Sequence, residues 1–559
     1  MTSRLLSHSF TLHDNRPSNY LSVDRKMHVD RNKIQGTYVL AIDLGSGGPK
    51  VGLVDQEGRI LASAAESIPV VFLENGGAEQ DPHIWWSSVM RLSKQVIQDA
   101  DVSPQAIKAI GCTSQFSVIT PVDENGEALM NAVHWLDRRG GPYNRAMLGG
   151  FPEIQGFNAG KLVKWMRRAG MPPTLSGSDS LGHILYIMNQ RPEIYRKTYK
   201  FLEPMDYLNL RLTGKCAATL NTTFPYVLTD NRNLESREYA PALLQAAGID
   251  GKKLPEILAA DGIVGPITPS VAAELGLDSS TVVIASANDN STSAVGSGAV
   301  LDYETVAVLG TSGYLACHVP FKKTDLLHFI TTMPSAIRGR YLIFAELGNN
   351  GKVLDSYLNN FVYSKDEFGQ MAEPEDKYMR MNSQVEQVEA GSGGLLFLPW
   401  FNGCFAPSED EHLRGAFINL SSRTTRAHMT RAVLEGIALN WRWLYGPAER
   451  FIGRKFEHWR LGGGGALSSA WAQIMADVIG IPMQQMAKPR FGNVLGIAFL
   501  ALNRLGVLAL DEIPAKVQIA RVYEPRPENK PVYDKLFQQF QASAKNMRPI
   551  FHALNRNQS

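Results

Sequence analysis

One glycine-rich turn is written into this chain twice. The first copy reads Ala41-Ile42-Asp43-Leu44-Gly45-Ser46-Gly47-Gly48-Pro49-Lys50 and runs on into Val51–Val54. The second reads Ala307-Val308-Leu309-Gly310-Thr311-Ser312-Gly313 and runs on into Tyr314–Cys317. Each is an apolar strand pattern, then Leu-Gly-(Ser/Thr)-x-Gly, then another apolar stretch. Two such turns can direct backbone N–H groups at one polyanion from two sides. Only the first carries an acid, Asp43, which gives the anion's metal ion a place to sit. The pattern predicts a duplicated fold that clamps a nucleotide triphosphate between its halves.

With 559 residues the chain is too long for one core, and two sizeable domains are expected. A net charge of +2 points to no nucleic-acid or membrane partner, and no long run of like charge is present. No apolar stretch approaches the roughly 20 residues that span a bilayer. Cys112, Cys216, Cys317 and Cys404 lie far apart without a C-x-x-C pair. They read as reduced thiols of a cytoplasmic protein, with neither disulfide framework nor zinc site. Residues 1–36 are polar and aperiodic. A loosely ordered extension is expected there, with Met27 as an alternative start.

Strand and helix patterns alternate through the rest, so the class is α/β. Tyr38–Asp43, Lys50–Val54 and Ile60–Ala64 read as a three-strand meander around the first glycine turn. Asp81-Pro82 marks a helix start, and Trp85, Val89, Leu92 and Val96 follow at helical spacing. Thr281–Ala285 reads as a buried strand opening the second half. The expected segments are the extension at 1–36, an N-terminal domain at 37–280, a C-terminal domain at 281–525 and a final helix within 526–559. Tyr533, Phe537, Phe540, Met547, Ile550 and Phe551 form that helix's apolar side.

The chain has no G-x-x-x-x-G-K-[ST], so it is not a P-loop protein. Asp43 with Gly45, Ser46, Gly47 and Gly48 is a phosphate-loop candidate; alone it could equally be a hairpin turn with an exposed acid. Gly462-Gly463-Gly464-Gly465, followed at once by a helix, would let a flat ring approach the backbone; the plain alternative is a tight strand–helix turn. Gly391–Gly394 reads as a flexible turn. Asp289, after the strand Thr281–Ala285, suits a general base facing a cleft or a helix N-cap, and spacing does not separate the two. Trp135-Leu136-Asp137-Arg138-Arg139 offers an aromatic face, an acid and two bases, suited to a sugar or to a surface salt-bridge cluster.

In order and spacing these pieces resemble the FGGY family of carbohydrate kinases, closest to its xylulokinase-like branch. The resemblance runs from about Tyr38 to the C-terminal helix. It rests on Asp43–Lys50, Glu79–Pro82 with Trp85-Trp86, Trp135–Arg139 and Asp206-Tyr207-Leu208. It continues through Asp289 with Ala294-Val295-Gly296, Leu309–Gly313, Leu396–Pro399, Arg414–Phe417, Arg431–Gly436 and Gly463–Ala466. It implies two actin-like (ribonuclease H-like) ATPase domains with a catalytic cleft between them, and Mg2+-dependent transfer of phosphate from ATP to a hydroxyl of a sugar or polyol. Carried over residue by residue, Asp289 is the catalytic base and Asp43 lies by the metal. Gly45, Ser46, Gly47, Lys50, Gly310 and Thr311 hold phosphate, and Gly463, Gly464 and Gly465 face adenosine. Gln115, Phe116, Trp135, Asp137, Asp206 and Asp289 bind the acceptor.

The departures fall mainly on the acceptor side. Gly47-Gly48-Pro49 stands where the family usually has hydroxyl residues. Gln115-Phe116-Ser117 replaces a xylulokinase Gln-Met-His, and Met205 replaces a Lys. These changes favour a neutral pentulose or polyol over a sugar acid, with D-xylulose the first compound to try. A catalytically weak or inactive relative that binds sugar and nucleotide is the alternative, and an actin-like filament or chaperone ATPase is a third reading. No nucleic acid or membrane is expected as a partner, and a homodimer is left open.

Overall fold

The computed structural model describes residues 36–367, 369–370 and 373–555. The expected N-terminal extension lies, but for Gly36, outside the described residues.

The first half is built on a seven-stranded sheet. Its elements are β1 (Tyr38–Gly45), β2 (Gly48–Asp55), β3 (Ile60–Ala65), α1 (Pro82–Asp99), β4 (Ile107–Ser114), α2 (Pro204–Thr213), β5 (Ile263–Pro266), β6 (Val282–Ile284), β7 (Ala287–Asn288) and α3 (Asp289–Gly296). The strand order is β5-β6-β4-β1-β2-β3, with β7 also on β4. The antiparallel meander β1-β2-β3 meets two strands parallel to β1, and β5 closes the edge antiparallel to β6.

The second half repeats that plan. Its elements are β8 (Thr305–Leu309), β9 (Ser312–Val319), β10 (Thr324–Asp325), β11 (Ile330–Pro334), β12 (Tyr341–Asn349), α4 (Arg426–Ile452), β13 (Trp459–Gly462), α5 (Ser469–Ile479), β14 (Met483–Met486), α6 (Gly492–Arg504), β15 (Ile519–Tyr523) and α7 (Lys530–Asn555). The order is β10-β11-β12-β9-β8-β13-β14-β15. Again a meander (β8-β9-β12) meets two parallel strands, and an antiparallel strand closes the edge. Each glycine turn joins the first two strands of a meander, Gly45 facing Gly48 and Leu309 facing Gly313. The duplication read from two short motifs is therefore a duplication of whole sheets.

This topology corrects one expected boundary. Val282–Ile284 does not open the second half; it pairs with β4 in the first sheet, and the Thr281 hydroxyl donates to the Ile107 carbonyl at 3.0 Å. A buried, β-branched run looks the same whichever sheet receives it, so only pairing assigns it.

Strand alternation sets which side chains meet which layer. Leu40, Ile42 and Leu44 pack in one cluster with Trp85, Val89, Leu92 and Val96 of α1. Asp81 caps α1, its carboxylate accepting from the His83 amide at 2.8 Å. Val39 and Ala41 face the other way, onto Val494, Ile497 and Ala498 of α6. In the second sheet Ala307 and Leu309 face the α4 and α5 side, while Val306 and Val308 pack with Ala294 of α3. So α3 and α6 lie between the sheets, and they touch backbone to backbone. A Cβ on Gly296 would stand 1.8 Å from the Gly492 carbonyl oxygen, and one on Gly496 would stand 1.9 Å from that of Thr292. No side chain fits at this crossing.

Helix α7 buries Tyr533, Leu536, Phe540, Ala544 and Phe551, whereas Ile550, expected on the apolar side, is exposed. Helix α5 starts one 3-10 turn after the glycines rather than at once, and Gly480 closes it in a left-handed conformation. All four cysteines are free thiols. Among the described residues no helix is long and apolar enough to cross a membrane.

Candidate active site

Asp43 belongs to the face of β1 that carries Val39 and Ala41, so at the strand's end it emerges beside α3 and α6. Its register partner on β2 is Lys50, and the ammonium reaches Asp43 Oδ2 at 3.0 Å. Asn493, on the first turn of α6, lies 3.5 Å from the same oxygen. The other oxygen, Oδ1, is buried without a hydrogen bond. The Lys50 ammonium is held above the usual lysine range, chiefly by the charge of Asp43. At the matching place in the second hairpin Val308 pairs with Tyr314, so the ion pair exists in one copy only.

Asp289 is the first residue of α3. The cap is its neighbour Asn288, whose side chain accepts from the Ser291 amide at 3.0 Å. The capping role that spacing allowed for Asp289 is thus filled by another residue, and Asp289 Oδ1 is buried without a partner. Burial first, and the Asp43 charge second, push its carboxyl up to about 8. A carboxyl raised this far is a stronger base than a solvated one.

The sequence analysis did not single out Glu346. It lies on β12, two residues beyond Phe344 and opposite Tyr314 in register, so strand alternation puts it on the cleft face with Phe344. Burial lifts its carboxyl to about 7, and its charge bears on Asp289. No motif marks it, because the strand pairing that places it is set by distant residues.

The first glycine turn is also the hub of a hydrogen-bond network that includes two of the expected acceptor residues. The Ser46 hydroxyl donates to Gln115 Oε1 at 2.6 Å and accepts from Trp135 Nε1 at 2.9 Å. Gln115 Nε2 donates to Gln80 Oε1 at 3.0 Å, and Gln80 Nε2 returns to the Ser46 carbonyl at 3.1 Å. The structure thus brings Ser46, Gln115 and Trp135 into one network. Phe116 meets Phe344 of the other half edge to face, and Phe344 in turn meets Tyr314. Buried Glu203 accepts from the Val118 amide at 3.1 Å and fixes the turn that carries Phe116, in which Ser117 is left-handed at φ 59°.

Two expected acceptor residues are placed differently. Asp137 is wholly buried: Oδ2 accepts from the Ala78 amide at 2.9 Å, and both oxygens take hydrogen bonds from Arg139. Arg139 also pairs with Glu79 at 2.7 Å and lies over the Tyr186 ring. This acid has no oxygen left for the cleft; it holds the wall behind Trp135. Asp206, in the first turn of α2, is wholly buried beside Thr222, and burial lifts its carboxyl well above the carboxylate range, favouring the neutral acid.

The second glycine turn is anchored from behind. The Gly310 carbonyl accepts from the Gly351 amide at 2.9 Å, and the Thr311 carbonyl accepts from the amides of Asn350 and Lys352 at 3.1 Å. Thr311 itself is exposed. Gly463 has φ 82°, and a Cβ there would stand 2.7 Å from the Leu309 carbonyl oxygen; at Gly465 the same oxygen would be 2.9 Å away. These two glycines let the third loop pack on the second. Gly310, Thr311, Gly463, Gly464 and Gly465 therefore lie together, the third loop packed on the second.

The residues fit a magnesium nucleotide. Asp43 Oδ1 is an orphaned carboxylate oxygen, and Gly47 has open space on its flank. Among the described residues no cluster of three or more His, Cys, Asp or Glu side chains could hold a metal. One carboxylate suits Mg2+, which keeps much of its coordination for water and phosphate.

Comparison with known proteins agrees with this geometry. The N-terminal domain of the FGGY family of carbohydrate kinases matches residues 38–296, and the C-terminal domain of that family matches residues 305–504. A xylulose kinase of Staphylococcus epidermidis is 28% identical over 521 residues, covering 92% of this chain and 97% of its own. The structure of a ligand-bound xylulose kinase from Lactobacillus acidophilus superposes with a TM-score of 0.79 at 25% identity, covering 93% of this chain and all of the other. A gluconate kinase from the same organism gives 0.78 at 26% identity, covering 92% and 98%. With two such α/β domains and a cleft between them, the chain belongs to the FGGY family of carbohydrate kinases, in its xylulokinase-like branch.

Proposed function

We propose that this protein is a cytoplasmic enzyme that phosphorylates a hydroxyl of a small neutral sugar or polyol with ATP, a pentulose such as D-xylulose being the first acceptor to test. The observation that carries the reading is Asp289: a buried, uncapped carboxyl with an orphaned oxygen at the mouth of α3, beside the Asp43–Lys50 pair.

Bound Mg2+–ATP supplies the phosphoryl group and offsets the charge of its transfer. Asp43 holds the metal, mostly through water. Lys50, Thr311 and the turns at Gly45–Gly47 and Gly310 hold phosphate oxygens, and Gly463–Gly465 admit the flat base. Asp289 accepts the proton of the acceptor hydroxyl. Trp135 and Phe116 wall the acceptor, and Gln115 offers it hydrogen bonds. Asp43, Asp289 and Glu346 offer an acceptor carboxylate no cationic partner, and Lys50 beside them is already paired with Asp43. That environment favours neutral acceptors over sugar acids, because a carboxylate taken out of water without a partner is costly.

A coupled ADP-release assay across ketoses, polyols and sugar acids tests the reading. Acceptor-dependent ADP release is expected, largest for a neutral compound. Equal release without acceptor would mean a motor or chaperone ATPase, and nucleotide binding without any release would mean a binding module.

A further inference from the structure

The turn Pro489–Phe491 joins β14 to α6 and is bonded into the third glycine loop, the Gly463 amide donating to the Pro489 carbonyl at 3.1 Å. This contact brings Arg490 over Gly464, with Nε 3.7 Å from where a Cβ on that glycine would stand. The Arg490 side chain is exposed and makes no hydrogen bond or ion pair with a described residue. Its charge reaches both the Lys50 ammonium in the first loop and the Tyr378 phenol. A guanidinium without a partner among the described residues therefore stands over Gly464, within electrostatic reach of Lys50 in the first loop.

The first loop lacks what Arg490 has. The Ser46 hydroxyl is engaged by Gln115 and Trp135. Gly48 has φ 122°, and a Cβ there would stand 2.1 Å from the Glu66 carbonyl oxygen, so no hydroxyl side chain fits. Lys50 is held by Asp43. Side-chain donors for a polyphosphate are scarce on this wall.

We infer that Arg490 binds the nucleotide's phosphates, supplying the charged donor that the Gly47-Gly48-Pro49 loop does not. A guanidinium presents two parallel N–H groups to a phosphate and stays charged at any working pH, so it recognises the polyphosphate and not the base. This assignment rests on the kinase reading above.

Isothermal titration of the full chain with AMP, ADP and ATP, with Mg2+ and without acceptor, tests it. Arg490→Met keeps the length of the stem, and Arg490→Lys keeps the charge. Arg490→Met should weaken ATP and ADP about tenfold to a hundredfold while AMP changes by less than about twofold, and Arg490→Lys should recover part of the loss. Unchanged ATP affinity in Arg490→Met would overturn the assignment. So would an equal loss for AMP and ATP, which would put the side chain at the nucleoside or the α-phosphate and not at the outer phosphates. A wild-type chain that binds no adenine nucleotide would remove the kinase reading along with it, whereas wild-type binding that Arg490→Met leaves intact removes this assignment alone.

Discussion

Phe116 of the first half and Phe344 of the second meet edge to face across the cleft, their ring centres 6.1 Å apart. The contact links the two halves. An edge-to-face pair contributes about 0.5–1.5 kcal/mol beyond area burial. Phe116→Ala should therefore shift the resting protein toward a more open cleft. Small-angle scattering of the free chain should give a larger radius of gyration than wild type, and the acceptor KM should rise while nucleotide affinity stays within about twofold. An unchanged radius would mean that the pair only lines the pocket.

Asp289→Asn should cut turnover about 10²–10⁴-fold while nucleotide and acceptor still bind. The same substitution has a signature in stability. The folded protein holds this carboxyl at about 8, against an ordinary value of 3.8. The folded state thus binds the proton more tightly, and this contribution to stability is present below about pH 4 and lost as pH rises through about 8. Asparagine removes the ionisation cost. Thermal melts should show Asp289→Asn gaining a few degrees over wild type at pH 8–9, with the gain vanishing near pH 4. A variant that melts alike at both ends would mean that the carboxyl is better solvated than its setting implies.

His318 gives a slope of opposite sign. It is fully buried, Nδ1–H donating to the Ala299 carbonyl at 2.7 Å, and burial lowers its pKa from 6.5 to about 4. Between these values the unfolded chain binds more protons, so stability falls as pH drops through that window. His318→Gln should flatten the melting temperature's dependence on pH between about 4 and 6.5, whatever its effect at pH 8. An unaltered slope would exclude His318 as a source of acid sensitivity.

Glu346→Gln removes an ionisable carboxyl, lifted by burial to about 7, from beside Asp289. The ratio of kcat/KM for an aldonate to that for a ketose should rise about tenfold, chiefly through the aldonate. A ratio that does not move would take Glu346 out of acceptor selection.

The sequence made legible whatever its own neighbours determine. The glycine turns, the Asp81 cap and the strand alternation that aims Asp43 at α6 are local features, and each is found where its pattern puts it. What escaped depends on pairing between distant residues. Val282–Ile284 joins the first sheet because β4 is open on that side, and Glu346 faces the cleft because Tyr314 sets its register. Asp137 looked available in its pentapeptide, but Ala78, far away in sequence, closes one of its oxygens. Asp289 as cap or base was ambiguous for a related reason: Asn288 and Asp289 are both good capping residues, and only the backbone shows which one accepts the hydrogen bond.

The contact of Gly296 with Gly492, and of Gly496 with Thr292, has a consequence for how this scaffold diversifies. Two positions that admit no side chain, Gly296 and Gly496, tie α3, and with it Asp289, to α6, which carries Asn493. Trp135, Phe116 and Glu346, proposed around the acceptor, hang on other elements. On the proposed kinase reading, the acceptor can change one side chain at a time while the Asp289 end stays untouched. The gluconate kinase and xylulose kinase structures from Lactobacillus acidophilus share the overall fold. The α3–α6 crossing is fixed by two hydrogen atoms, on Gly296 and Gly496, where methyl groups cannot go.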